Sequence, residues 1–148
     1  MIKLELISPT NAPVFKDIRL RALQESPTAF SSTYTEESTL TDADWLKRAA
    51  QWSSAKSVAY LALDNDAAVG IAAGVLDRNY PLRADLMSMW VAPTHRGTGI
   101  GRLWVNAIVA WVCGHSVLHL YVMVTSNNDR AIAFYQNLGF VLTGRSKP

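Results

Sequence analysis

Arg96-Gly97-Thr98-Gly99-Ile100-Gly101-Arg102 is the stretch of this chain best suited to chemistry. Glycines at alternate positions let a backbone come close to a ligand, and free amides at the start of a helix, aided by its dipole, favour an anion there. Arg96 and Arg102 flank the loop and can add charge-assisted hydrogen bonds to phosphate oxygens. A diphosphate is the natural ligand. Two nucleotide motifs do not fit: the dinucleotide fingerprint needs glycine where this chain has Arg102, and the Walker loop needs Gly-Lys followed by Ser or Thr. The spacing by itself also fits a tight strand-to-helix turn with no ligand.

Such a loop needs a strand before it and a helix after it. Asp85 to Val91 reads as the strand, ended by Ala92-Pro93 because proline cannot donate to a continuing ladder. Ile100, Leu103, Trp104, Ala107, Ile108, Trp111 and Val112 recur at helical intervals, and Gly114 is placed to end that helix. Val117 to Thr125 is the most strand-like stretch. Ser126-Asn127-Asn128-Asp129 can then cap a helix from Arg130 to Leu138 that buries Ala131, Phe134 and Leu138, with Gly139 as its stop and Phe140-Val141-Leu142 as a last strand.

Upstream, Ile2 to Ile7 alternates as a half-buried strand, and Asn11 to Glu25 reads as a helix with Val14, Ile18, Arg21 and Leu23 on one broad face. Thr41-Asp42-Ala43-Asp44 resembles a capping box ahead of a second helical region carrying Trp45, Leu46, Ala49, Ala50 and Trp52. Val58 to Leu63 and Ala68 to Leu76 form a hairpin about Asp64-Asn65-Asp66. This order predicts a mixed α/β domain.

At 148 residues, 49% hydrophobic and 18% charged, the chain is expected to be one domain with a rich core. A net charge of +2, scattered along the sequence, argues against nucleic acid as a partner. No apolar run is long enough to cross a membrane, and the amino terminus lacks a secretory pattern, so a cytoplasmic location is expected. No Cys/His cluster has metal-ligand spacing. The lone Cys113 is expected to be a small buried hydrophobe.

The loop, preceded by Met89-Trp90-Val91-Ala92-Pro93, resembles the Arg/Gln-x-x-Gly-x-Gly/Ala motif of the general amine N-acetyltransferase (GNAT) superfamily. The family's second motif, Asn-x-x-Ala-x-x-Phe-Tyr-x-x-x-Gly-Phe, is matched from Asn128 through Ala131, Phe134, Tyr135 and Gly139 to Phe140. More loosely, Arg19-Leu20-Arg21-Ala22-Leu23 and Ser26-Pro27-Thr28-Ala29-Phe30 resemble a first-helix segment of bacterial members. The resemblance implies a largely antiparallel central sheet flanked by helices and splayed after the strand ending at Val91. Acetyl-CoA would sit in that opening and an amine substrate would arrive from the other side.

Carried over residue by residue, Arg96, Gly97, Thr98, Gly99, Ile100, Gly101 and Arg102 would bind the pyrophosphate. The backbone of Met89 and Val91 would pair with pantetheine as an added strand. The Val91 N–H would polarise the thioester carbonyl and strengthen its bond as that oxygen becomes negative. Asn128 would hold the pantetheine arm, a role compatible with its capping a helix. Tyr135 would protonate the leaving thiolate, its unperturbed pKa of about 10 lying near that of an alkyl thiol; alternatively Phe134-Tyr135 is an aromatic pair at a helix-sheet interface.

The resemblance does not supply a base for the incoming ammonium. Glu36, Glu37 and Asp85 stand in suitable regions, each reading equally as an ordinary solvated carboxylate, and His95, His115 and His119 read as surface or structural residues. The amine would be chosen by loops near Ser26 to Leu40 and Asp77 to Arg83, with Tyr34, Trp52 and Tyr80 as candidate lining residues. The family has a further strand after the one starting at Phe140, and here it is expected to be missing. The exposed edge would invite a homodimer. Besides an enzyme, a catalytically silent acyl-CoA-binding or regulatory module would keep the same loop.

Overall fold

The structure, a computed structural model, describes residues 2–25, 33–77, 79–80, 82–97, 99–115, 117–122 and 129–141. Strands β1 (Ile2–Leu6), β2 (Ser53–Ser54), β3 (Ser57–Asp64), β4 (Ala67–Leu76), β5 (Arg83–Val91) and β6 (His119–Val122) form one sheet. Its order is β1-β3-β4-β5-β6, with β2 paired to β3. Every pairing is antiparallel except β5 with β6. Helices α1 (Ala12–Glu25), α2 (Tyr34–Glu37) and α3 (Asp42–Gln51) precede the hairpin, while α4 (Ile100–Cys113) and α5 (Asp129–Asn137) follow β5 and β6. The expected mixed, largely antiparallel sheet flanked by helices is what forms.

The hairpin of β3 and β4 turns on Asn65 and Asp66, both with positive φ (49° and 73°). Positive φ at both central residues matches the twist of the flanking strands, and Asn and Asp tolerate it better than most residues. Both strands are largely buried, as inner strands covered on two faces must be. Ala59, Ile71 and Ala73 face α1 and α3, lining a small cavity with Phe15, Arg19, Arg48 and Trp52. On the other face the bare backbone of Gly70 and Gly74 admits Trp104 and Ile108 of α4, leaving no room for a Cβ.

α1 buries Ala12, Phe15, Ile18, Ala22 and Leu23, whereas Val14 is exposed. The inward stripe is therefore centred one position from the predicted face. Arg21 reaches instead to the Ala68 carbonyl (3.0 Å) and lies over the Trp90 ring. The Thr41 capping box forms as expected, with Asp44 N–H donating to Thr41 Oγ1 and Thr41 N–H to Asp44 Oδ2. These bonds hold the Asp44 carboxyl below its usual range. α3 then buries Trp45 edge-on against Phe15, with ring centroids 5.4 Å apart.

Two expectations fail in detail, and a third is met without needing its glycine. Cys113 is exposed, because it stands one position round α4 from the buried stripe that ends at Val112. Gly114 does end that helix, in a right-handed conformation (φ −68°) that any residue could adopt. Ala131, Phe134 and Leu138 are half-buried, and Phe140 and Val141 are not in a strand among the described residues.

Towards its end β5 departs from regular pairing. Ile71 pairs with Trp90 and Ala73 with Met87, so Ser88 and Met89 both stand opposite Ala72. This is a β-bulge, which re-aims the residues beyond it.

Candidate functional site

β5, the loop after it and α5 converge on one region. Ala92 N–H donates to the Val69 carbonyl of β4 (2.8 Å). Since successive amides of an extended chain point to opposite edges, the Val91 N–H and carbonyl project away from β4. On that side β6 pairs only with Arg83 to Leu86, and no described strand lies beside Met87 to Val91. Among the described residues the Val91 amide thus faces an edge with no strand beside it, and Met89, named with it, sits in the bulge.

After a short 3-10 turn at Pro93–His95, Gly97 (φ +80°) and Gly99 (φ +89°) adopt left-handed backbone, and Gly99 is the N-cap of α4. Among the described residues, their own chain neighbours apart, no atom lies within 4 Å of where their Cβ atoms would stand. Their φ angles, rather than crowding, require glycine there. The first amides of α4 from Ile100 onward have no intrahelical acceptor. A pyrophosphate fits this cradle in charge and approach. Arg102 is exposed at its rim and has no ion-pair partner among the described residues. Thr98 and Asn128 lie outside the described residues.

Gly101 has a different reason to be glycine. Its Cβ would stand 2.6 Å from Cζ of Phe134, so the ring of α5 packs directly on the first turn of α4. The next residue is Tyr135. α5 ends in a Schellman motif: Phe140 N–H donates to the Tyr135 carbonyl (3.0 Å), Gly139 N–H donates to the Gln136 carbonyl (3.0 Å), and Gly139 has φ +101°. The apolar contact that accompanies this motif is Tyr135 against Phe140, ring centroids 5.4 Å apart, with Phe134 at 5.1 Å on another side. Burial among these rings pushes the Tyr135 hydroxyl up to about 12. The near match to a thiol expected from an unperturbed tyrosine therefore does not hold.

Arg96 does not point at the cradle. Its Nε donates to the Val91 carbonyl (3.0 Å) and its Nη2 to Glu25 Oε2 (2.9 Å), the same oxygen that receives Trp90 Nε1–H (2.8 Å). Glu25 is the residue that sequence reasoning missed. It ends α1, where a carboxylate opposes the helix dipole, and a residue so placed is a signal that some cation compensates it. Beside it an open groove of about 310 Å³ is lined by Arg21, Gln24, Glu25, Trp90 and Pro93.

The carboxylates weighed as bases are mostly committed elsewhere. Glu37 is 2% exposed and accepts from Arg19 (3.0 Å, two bonds) and Arg48 (3.0 Å), tying α2 to α1 and α3. Asp85 pairs with Arg83 (3.0 Å), while Glu36 is exposed on α2. His95 bridges Asp64 (2.7 Å) and Thr94 (2.8 Å), fastening the loop region to the hairpin turn and holding the Asp64 carboxyl below its usual range. His115 lies against Trp111, and His119 opens β6. Trp52 lines the small cavity under α1 and α3; Tyr34 and Tyr80 are exposed. No group of potential metal ligands occurs among the described residues.

Comparison with known proteins agrees with this geometry. The sequence model of the acetyltransferase (GNAT) family matches residues 20–140. Streptothricin acetyltransferase of Streptomyces lavendulae is 30% identical over 95 residues, covering 64% of this chain and 50% of that protein. N-alpha-acetyltransferase RimI of Mycobacterium tuberculosis is 32% identical over 69 residues, covering 47% and 42%. The matched stretch thus spans half or less of these relatives' length. Among solved structures, a GNAT acetyltransferase from Streptococcus pneumoniae superposes with a TM-score of 0.79 at 22% identity, over 97% of this chain and 86% of that one. AAC(6')-Iy, solved with the bisubstrate analogue CoA-S-monomethyl-acetylneamine, gives 0.78 at 15% identity, over 100% and 96%. At these identities the structures speak for the fold, while the family match takes in β3 to β5, the glycine cradle and the Tyr135 motif alike. With motif, fold and sequence in agreement, this chain belongs to the acetyltransferase (GNAT) family.

Proposed function

We propose that residues 1–148 act as one N-acetyltransferase domain that moves the acetyl group of acetyl-CoA to a primary amine by direct attack, without a covalent enzyme intermediate. The observation that carries this reading is the open-edge amide of Val91 beside a left-handed glycine cradle. The amides of Gly97 to Arg102, Thr98 among them, would hold the pyrophosphate, with Arg102 adding charge at the rim. Pantetheine would pair along Met89 and Val91, and Asn128 would hold its amide arm.

In the chemical step the amine nitrogen bonds to the thioester carbon and the carbon–sulfur bond breaks. Val91 N–H would meet the carbonyl oxygen as it gains negative charge. Tyr135 would give its proton to the departing sulfur. With its hydroxyl pushed up to about 12, Tyr135 stays protonated throughout the working range, and transfer to a thiolate must accompany bond cleavage rather than precede it. Glu37 and Asp85 are held by arginines, so neither is assigned the amine proton; it would pass to solvent water, which would return one to Tyr135 and close the balance.

The named relatives include a streptothricin acetyltransferase and an N-alpha-acetyltransferase. Both substrate classes belong in the test. Calorimetric titration with acetyl-CoA, then free-thiol release across aminoglycosides, streptothricin and peptides with free amino termini, should show binding followed by amine-dependent thiol release. Binding without thiol release would make the chain a silent acyl-CoA module. Absence of binding would sink the assignment. No helix among the described residues is long and apolar enough to cross a membrane. The exposed, unpaired Cys113 suits the reducing cytoplasm we assign to it.

A further inference from the structure

The segment from Trp90 to Arg96 is closed by one carboxylate oxygen. Glu25 Oε2 accepts Trp90 Nε1–H at 2.8 Å from one end and Arg96 Nη2–H at 2.9 Å from the other. Between them, Arg96 Nε donates to the Val91 carbonyl at 3.0 Å. That carbonyl and the Val91 amide project to the same open edge, where no described strand holds them. The bulge at Ser88 and Met89 removes a further constraint from the sheet side. On the β4 side Val91 is flanked by Trp90, paired with Ile71, and by Ala92, bonded to Val69; on the outer edge the described group that holds it is the planar fork of Arg96, and Glu25 holds the fork. A lysine could supply the charge but not both bonds in one plane.

We propose that Glu25, through Arg96, is a positioning residue that sets the aim of the Val91 amide. The proposal rests on the reading of Val91 as the donor to the thioester carbonyl. It reassigns the Arg96 side chain from pyrophosphate binding to holding the strand end. Glu25 and Arg96 are partly exposed, 33% and 48% at the side chain, so the pair adds little to global stability. Its value lies in direction, since a donor displaced by a fraction of an ångström loses much of its effect on a developing charge.

The test compares wild type, Glu25→Gln and Arg96→Lys with acetyl-CoA and with S-acetylpantetheine, a donor that has no pyrophosphate. Both variants are expected to lose about tenfold in kcat with either donor, while KM for acetyl-CoA stays within about twofold and the melting temperature barely moves. A loss seen only with acetyl-CoA, as a raised KM, would return Arg96 to the pyrophosphate and overturn the proposal; so would unchanged kcat in both variants. A structural readout separates this from the acetyltransferase reading. In 15N NMR spectra the Trp90 indole and Val91 amide resonances should shift in Glu25→Gln even if the wild type turned over no amine at all. An unmoved Val91 amide in that variant defeats the clamp whatever the activity.

Discussion

Gly101→Ala tests whether the third glycine of the loop serves the ligand or the packing of α5. The new Cβ would stand 2.6 Å from Cζ and 3.2 Å from Cε1 of Phe134. Carbon atoms in contact sit about 3.5–4.0 Å apart, so the ring must retreat by roughly 1 Å. Overpacking of this kind costs about 1–3 kcal/mol, and alanine returns up to about 1 kcal/mol of helix propensity. The net destabilisation is then about 1 kcal/mol, a fall in Tm of roughly 2–4 °C for a domain of this size. Turnover should suffer more than stability, because the displaced ring immediately precedes Tyr135. A shift of about 1 Å at such a group can cost up to about 100-fold in kcat. Phe134→Leu makes room, so the double variant should regain most of the lost turnover, with a coupling of about 0.5–3 kcal/mol in urea denaturation. Additive effects would refute the contact. A raised Kd for acetyl-CoA that Phe134→Leu fails to relieve would show that Gly101 answers to the ligand.

Tyr135→Phe should lower turnover while calorimetry shows acetyl-CoA binding intact; unchanged turnover would remove the proton-donor role. The folded pKa of Tyr135 is raised by burial, so its contribution to stability is complete below about 10 and fades as pH rises toward about 12. Denaturation midpoints of wild type and Tyr135→Phe measured between those values should converge with rising pH. Glu37→Gln leaves two arginine side chains facing a neutral amide in a buried site and should cost about 3–5 kcal/mol in urea denaturation. If it instead leaves stability intact and abolishes turnover, Glu37 is a base after all. Asp64 has a depressed folded pKa, so its contribution is present above the ordinary carboxylate value of about 3.9 and is lost as pH falls below it. Asp64→Asn should flatten acid unfolding in that window, and an unchanged curve would mean that the His95 contact does not bear on stability.

Local chemistry was legible in the sequence, and long-range closure was not. Thr41 with Asp44, Asn65 with Asp66, and Gly139 before Phe140 each act within a few residues, so their types and spacing declare caps and turns that the structure contains. Gly97 and Gly99 were readable for the same reason. Glu25 was not, because its partners Trp90 and Arg96 lie 65 and 71 residues away. Arg96 looked like an anion ligand because its neighbours in sequence are glycines, whereas its neighbours in space are a carbonyl and a carboxylate. The reason for Gly101 lies in where α5 packs on α4, which a glycine pattern does not record. The exposure of Cys113 was legible locally, since it falls off the stripe of Ile100, Trp104, Ile108 and Val112.

The bulge in β5 makes the local pairing as consequential as residue identity. Met87 and Trp90 are three residues apart, and a regular strand would send them to opposite faces. The extra residue lets both pair with β4 positions that face α1, Ala73 and Ile71. A strand that kept both Ser88 and Met89 but paired regularly would turn Trp90 from Glu25 toward the side that Trp104 fills, and the Val91 amide back into β4. Loss of either residue would have no such effect, because Met87 and Trp90 would then stand two apart, still opposite Ala73 and Ile71. The bulge therefore stores one residue of slack in β5 without changing which way the strand end faces.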